Sequence, residues 1–342
     1  MQKIVAFEPS SELAKLATPS QHFCLRRKRI RLCKILFPVL RQEHPKLSLA
    51  TIKPTFSVKM DFLVIEDALS FNEVGQLRQE AIQICRGDRG QVADLPSFLP
   101  EESRDEILQR TLCVHFPYKI SQIMFEVLAH PVIVDNMMEI IRPNVKCMQQ
   151  MLFIKSAGKP GQAWHQDESF VPTRDRSLNV AWIALDNATV ENGCLWVMPG
   201  SHQRGIIYPN RQHSDQRFDR VEEAYQYPFT EEDAIPLEVK AGSIIFFNGY
   251  TLHRSLPNQT SHGHRRALVN HYMSAEFLLP WRRPENLMPV ARCDHRDIVM
   301  IAGEDPYAYK GTEEISFSHI RPESEGGCRW PTKPETVMEN NS

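Results

Sequence analysis

Hydrophobic periodicity divides the chain into three stretches. Residues 1–57 carry no sustained apolar period. Arg26-Arg27-Lys28-Arg29-Ile30-Arg31 is a basic run beside a short apolar patch, Ile35-Leu36-Phe37. The segment is expected to be a poorly ordered extension, with a localisation signal or an amphipathic arm as the alternative. Phe62-Leu63-Val64-Ile65-Glu66 then reads as a strand. Ser70 reads as the cap of a helix running to Ile84. Arg86 to Glu102 is rich in Gly, Pro and Asp and reads as loop. Ile120 to Ile141 has helical spacing broken at His130-Pro131, which predicts two helices, because a proline ring and its missing N–H end a helix.

From Lys146 the period shortens. Met148 to Lys155, Leu178 to Leu185, Cys194 to Met198, Ile244 to Phe247 and Ala267 to Met273 read as strands. Asn192-Gly193, Pro199-Gly200, Ala241-Gly242 and Asn248-Gly249 punctuate them. Many short strands after a helical segment predict a mainly β fold, a jelly-roll barrel with flanking helices. That domain is expected over residues 58–320, with 321–342 as a tail. Residues 203–234 are polar, with few apolar anchors, and read as a long insertion of the kind that forms lids or binding loops. Arg204, Tyr208, Arg211 and His213 within it are candidates either for substrate contact or for a solvated loop.

Bulk composition narrows the function classes. The chain has 342 residues and a formal charge of −2, so its overall charge offers no footprint for nucleic acid or an anionic membrane. Its eight cysteines, from Cys24 to Cys328, form no CxxC pair, which excludes a zinc ribbon or a thioredoxin-type motif. Reduced thiols in an intracellular, cytoplasmic protein are expected. No apolar run reaches the ~18–20 residues of a membrane span. The N-terminus lacks the apolar core of a secretion signal. The last residues, Glu339-Asn340-Asn341-Ser342, are not a peroxisomal Ser-Lys-Leu address.

The candidate chemistry lies in His-x-Asp triplets. About half an occurrence is expected by chance in such a chain, and this one has three: His165/Asp167, His213/Asp215 and His295/Asp297. An extended segment turns residues i and i+2 to one face, so each could offer two ligands. The third ligand must come from a distant strand. His295 has little chain after it, and His213 sits in the polar insertion. His165 lies between strand-like runs, and His253 follows the strand Ile244 to Phe247. Two imidazoles and a carboxylate on one face of a metal leave the opposite face open, the ligand set of non-haem Fe(II) oxygenases. Arg265 or Arg266, opening the next strand, could clamp the far carboxylate of a 2-oxo acid through a planar fork. By alternation, Arg265 shares a face with Ala267, Val269 and His271. His271 reads as a buried hydrogen-bonded histidine, with substrate contact as the alternative. The bland alternative for the triplet is a surface hydrogen-bonded pair with His253 packed at a strand end.

At these residues the chain resembles the phytanoyl-CoA dioxygenase family. The matching stretches are Trp164-His165-Gln166-Asp167, Ala181 to Leu185, Glu191-Asn192-Gly193-Cys194-Leu195-Trp196, Pro199-Gly200-Ser201-His202, Ala241-Gly242-Ser243, His253-Arg254-Ser255 and Arg265-Arg266-Ala267. The resemblance covers roughly residues 58 to 280. It implies a double-stranded β-helix and Fe(II)/2-oxoglutarate chemistry. His165, Asp167 and His253 would be the metal ligands. Arg265 would hold 2-oxoglutarate, with Ser255 and Gln166 nearby, Met151 and Trp182 as pocket walls, and Lys119 as a further co-substrate residue. One extra residue between His253 and Arg265, relative to the usual spacing, leaves Arg266 open as the clamp. Lys15-Leu16 with His22 approaches an N-terminal peroxisomal pattern that Phe23 breaks, so the acyl-CoA substrate does not transfer. The expected activity is hydroxylation of a C–H bond in a small organic substrate, using dioxygen, with ascorbate as a reductant. Related halogenases replace the ligand carboxylate with a small residue to admit halide, so Asp167 favours hydroxylation. A cupin-type zinc hydrolase or lyase and a metal-bound protein without turnover are the competing classes; the buried arginine argues against the first.

Overall fold

Residues Val145–Ser156 form a strand buried along almost its whole length, so the sheet that contains it is covered on both faces. The computed structural model describes residues 4–5, 62–97, 99, 101–141, 143–219, 221–278, 298–312 and 316–321. The rest of the expected N-terminal extension, the tail beyond 321 and the His295/Asp297 triplet lie outside the described residues. In chain order the strands are β1 (Ile4–Val5), β2 (Phe62–Ile65), β3 (Cys113–His115), β4 (Val145–Ser156), β5 (Gln162–His165), β6 (Asn179–Ala184), β7 (Leu195–Val197), β8 (Asn210–Arg211), β9 (Glu223–Ala224), β10 (Ile235–Leu237), β11 (Ile244–Asn248), β12 (His253–Ser255), β13 (His264–Ser274), β14 (Val299–Ala302) and β15 (His319–Arg321). Among the described residues, a nine-stranded sheet runs β1-β2-β11-β6-β13-β4-β3-β15 with β14 added on β4. A four-stranded sheet runs β10-β7-β12-β5. Their pairings are antiparallel, and together they make the double-stranded β-helix.

Strand parity assigns each side of the large sheet its partner. Leu63, Leu152, Ile183, Phe246 and Leu268 face a layer of helices. Val64, Met151, Trp182, Ile245 and Val269 face inward, against Leu195 and Val197 of the small sheet. The helices are α1 (Phe71–Cys85), α2 (Arg104–Gln109), α3 (Gln122–Glu126) and α4 (Pro131–Ile140). Ser70 and Glu73 close a reciprocal capping box on α1, which satisfies two backbone donors at its start. The break at His130-Pro131 is present, and α3 leads into it through a 3-10 turn, Val127–Ala129. β4 and β13 extend three residues beyond the N-terminal limits read from their apolar cores. β13 starts with the polar His264-Arg265-Arg266, which the sheet still pairs, and β4 with Val145-Lys146-Cys147, where one lysine hides the apolar run. No helix of the described residues is long and apolar enough to cross a membrane.

The 203–234 segment differs from a solvated loop. Its apolar anchors are few but large. Tyr208 and Ala224, with Tyr227 and Phe229, pack on Trp164, Met198 and Leu252 at the outer face of the small sheet. Arg254 lies between the Trp164 and Trp196 rings, 4.5 and 5.6 Å from their centroids, and pairs with Glu231 at 2.6 Å.

One buried carboxylate ties the helical layer together. Glu80 of α1 accepts from Arg89 at 2.6 and 2.8 Å and from the Ser121 hydroxyl that caps α3 at 2.7 Å. Burial opposes its ionisation, yet Arg89 and Ser121 hold its carboxyl below the usual carboxylate range. A depressed folded-state pKa gives stability that is present above the unfolded value and lost as pH falls through the folded one. Glu80→Gln is therefore expected to cost about 1–3 kcal/mol near neutral pH. In thermal melts across pH, the gap to wild type should narrow below about pH 4; a gap constant with pH would contradict this role.

Candidate metal centre

The two histidines are brought together by strand pairing. β12 lies beside β5, and the register sets His253 directly opposite His165. Their ring centroids are 4.1 Å apart. Gln166 continues the strand in extended conformation, and Asp167 opens a 3-10 turn, Asp167–Ser169. This brings Asp167 Oδ1 to 3.7 Å from His165 Nε2 and 3.6 Å from His253 Nε2. His165, Asp167 and His253 are the one such group among the described residues with three donor atoms placed for a shared ion.

Each imidazole is held in the same way. His165 Nδ1 lies 2.8 Å from the Ala163 carbonyl, and His253 Nδ1 lies 2.9 Å from the Thr251 carbonyl, in both cases two residues earlier. A carbonyl can only accept, so Nδ1 carries the proton and Nε2 presents its lone pair to the centre. Burial, reinforced by His253, pushes the His165 pKa down to about 3 and keeps its ring neutral. Burial opposes ionisation of Asp167, but the three histidines around it hold its carboxyl well below the usual range. The third is His271, whose Nε2 lies 3.6 Å from the other oxygen, Oδ2. Two bare imidazole nitrogens and an ionised carboxylate on one side are a donor set that fits a divalent transition metal.

The centre opens into a cavity whose free space, open solvent at the mouth included, is about 860 Å³. Alternate residues of β4 (Gln149, Met151, Phe153) and β13 (Arg265, Val269, His271) line it, as do Trp182 and Ser255. Arg265 is buried, with its guanidinium 5.5 Å from the Trp182 ring centroid and its Nε without a hydrogen-bond partner among the described residues. Burial lowers its pKa to about 10, which leaves it charged at neutral pH. Arg266 points the other way and grips Asp186 at 2.7 and 2.9 Å. Arg265 is thus the arginine that faces the cavity.

Two expected pocket residues stand elsewhere. Parity turns Gln166 away from the cavity. Its amide donates to the carbonyls of Ile206 and Tyr250 and accepts from Tyr208 N–H, which stitches the 203–234 segment to the centre. Lys119 ends a 3-10 turn that follows Phe116, whose left-handed backbone (φ 53°) carries the chain away from β3. It is not among the residues lining the cavity. The alternative triplet is also occupied otherwise: His213 Nε2 bonds the Val221 carbonyl, and Asp215 pairs with Arg217. Sequence reading missed Lys155, buried beside Ser255. Extending the alternation of Met151 and Phe153 by one step would have found it.

Purified protein is expected to bind one Fe(II) per chain, measured by anaerobic dialysis and elemental analysis. His165→Ala and Asp167→Ala should abolish tight binding, while His213→Ala keeps it. Near-wild-type iron content in the first two variants would contradict the ligand assignment.

Comparison with known proteins agrees with this geometry. The sequence profile of the phytanoyl-CoA dioxygenase (PhyH) family matches residues 62–267, more than half of the chain. A phytanoyl-CoA dioxygenase of Arabidopsis thaliana is 39% identical over 116 residues, 33% of this chain and 40% of that protein. Phytanoyl-CoA dioxygenase 1 of Oryza sativa subsp. japonica is 36% identical over 137 residues, 40% of this chain and 46% of that one. The matched region thus spans less than half the length of these plant relatives. Among solved structures, the apo form of the non-heme monooxygenase ThoJ superposes with a TM-score of 0.54 at 20% identity, covering 78% of this chain and 86% of that one, and shares the fold. With a family match across both sheets and every residue of the candidate metal centre, the chain belongs to the phytanoyl-CoA dioxygenase family.

Proposed function

We propose that the protein is an Fe(II)- and 2-oxoglutarate-dependent dioxygenase that hydroxylates a C–H bond of a small organic substrate. One observation carries this reading. A two-histidine, one-carboxylate centre shares its cavity with a buried arginine that, among the described residues, no carboxylate pairs at close range. A zinc hydrolase has no use for that buried cation, whereas a co-substrate with a distal carboxylate does.

The division of labour follows from the residues. His165, Asp167 and His253 would hold iron through one face. Iron, with 2-oxoglutarate and dioxygen, supplies the oxidising chemistry, which belongs to the cofactor set rather than to the protein. His271 stands 3.6 Å from the second oxygen of Asp167, whereas the other two imidazoles approach Oδ1. Arg265 receives the far carboxylate of the co-substrate, and the Ser255 hydroxyl stands beside it. Met151, Trp182 and Val269 form an apolar wall that excludes water from the bound anion and strengthens its attraction to the guanidinium. Asp167 fills the position that a halide would need, which favours hydroxylation over halogenation. The cavity beside the centre, open at its mouth, would admit a small substrate.

Two measurements test this. Arg265→Ala should leave iron bound but weaken 2-oxoglutarate by roughly 30-fold or more, because a charge-assisted pair with a buried carboxylate is worth about 2–5 kcal/mol. Arg266→Ala should leave that affinity nearly unchanged and instead lower thermal stability through the lost Asp186 pair. A screen of small metabolites with Fe(II), 2-oxoglutarate and ascorbate, read by mass spectrometry, should yield a product heavier by one oxygen. A zinc-loaded protein that hydrolyses an ester or amide, with no response to 2-oxoglutarate, would replace this reading with the hydrolase one.

A further inference from the structure

Lys155 stands next after Met151 and Phe153 on the inward face of β4. Its residue is 4% exposed. The ladder places it directly opposite Arg265, so two cations face each other across one pair of buried strands, an arrangement that destabilises the sheet by itself. Burial, then the charge of Arg265, pushes the Lys155 pKa well down. A carboxylate in the same region, Asp219, is engaged by a third cation, Arg321, at 2.9 Å. Among the described residues, this end of the cavity thus gathers three basic side chains, Lys155, Arg265 and Arg321, around one carboxylate, Asp219.

The contacts of the ammonium say what it does there. Lys155 Nζ lies 2.7 Å from Ser255 Oγ and 2.6 Å from the Leu256 carbonyl, with the Gly193 carbonyl at 3.5 Å. In its ammonium form Lys155 only donates, so Ser255 Oγ then accepts and the serine keeps its own proton for another partner. A bound anion favours that form, against the burial and the Arg265 charge that disfavour it. Ser255 lines the cavity together with Arg265. The fold clears space for this contact. Gly193 has φ +80°, and a side chain there would meet both the Leu256 carbonyl and Lys155 Nζ. A side chain at Gly161 would strike the Ser255 carbonyl. Capping the Leu256 and Gly193 carbonyls would not by itself call for a titratable side chain opposite Arg265, where an anion bound between the two would favour its charged form.

We propose that Lys155 is a positioning residue for the distal carboxylate of the co-substrate: it holds Ser255 Oγ as an acceptor, turns the serine proton toward the anion gripped by Arg265, and adds charge behind it. This rests on the 2-oxoglutarate reading above and extends it to selection of a dicarboxylate over a 2-oxo acid without a distal carboxylate.

The test uses full-length, Fe(II)-loaded protein under anaerobic conditions. 2-Oxoglutarate and 2-oxobutyrate, which lacks the distal carboxylate, are titrated separately and followed by the visible charge-transfer absorption of the chelate. Lys155→Met should weaken 2-oxoglutarate by about tenfold, the scale of one lost charge-assisted contact, and leave 2-oxobutyrate unchanged. Ser255→Ala should show the same selective loss, and the double variant should lose little more than either single one. An unchanged ratio of the two affinities in Lys155→Met, whatever its melting temperature, would overturn the proposal, as would fully additive losses. If Lys155→Met does not fold, Ser255→Ala decides: selective loss supports the relay and an unchanged ratio removes it. Wild-type protein that holds iron but binds neither 2-oxo acid would instead remove the underlying co-substrate reading, and the relay with it.

Discussion

The pairing of β5 with β12 is the constraint on which the site depends. It places His165 and His253 face to face from positions nearly ninety residues apart. Each ring is then locked by its own backbone, through Nδ1 to the carbonyl two residues before it. The metal-binding lone pairs are thus aimed by main-chain geometry. Asp167 depends on the same strand, since the chain must leave β5 extended through Gln166 before it turns. The amide of Gln166 is spent on three backbone groups that fix that exit. Preorganisation of this kind lets a site hold a metal without rearranging.

The second organising element is charge placed where water is absent. Arg265 and Lys155 face each other on neighbouring strands, in a wall otherwise built from Met151, Trp182 and Val269. Burying two like charges costs stability. The cost makes physical sense when an anionic ligand completes the arrangement. Further out, the Asp219–Arg321 pair joins the long insertion to the last described strand beside this end of the cavity. Arg254, stacked between two tryptophans and tied to Glu231, anchors the same insertion from the other side.

Part of this was legible in the sequence because β4 and β13 are long and alternate regularly past Met151 and Arg265. Alternation on β13 separated Arg265 from Arg266, and the structure shows one facing the cavity and the other gripping Asp186. The helical break at His130-Pro131 was legible because proline imposes it locally. What stayed hidden depends on contacts across the fold. Gln166 was read as a pocket residue, but its neighbours on the opposite face, Ile206, Tyr208 and Tyr250, come from segments that no local pattern links to it. The insertion stood open between substrate contact and a solvated loop because its apolar content is low, and a few aromatics on Trp164 and Leu252 suffice to pack it. Lys119 carried only a loose alignment, and the left-handed turn at Phe116 that leads it away from β3 leaves no trace in composition. Lys155 was overlooked because a lysine at the polar end of an apolar strand reads as a solvated terminus.

The most direct test is uncoupled turnover, which needs no knowledge of the substrate. Protein loaded anaerobically with Fe(II) and supplied with 2-oxoglutarate carrying labelled carbon at the 1-carboxylate is exposed to dioxygen, and labelled CO2 is counted. A 2-oxoglutarate dioxygenase should release label slowly, in step with dioxygen uptake. Asp167→Ala and zinc-loaded wild type should release none. Fully iron-loaded wild-type protein that consumes dioxygen without releasing label, or that releases label equally well with zinc, would contradict the assignment of this centre.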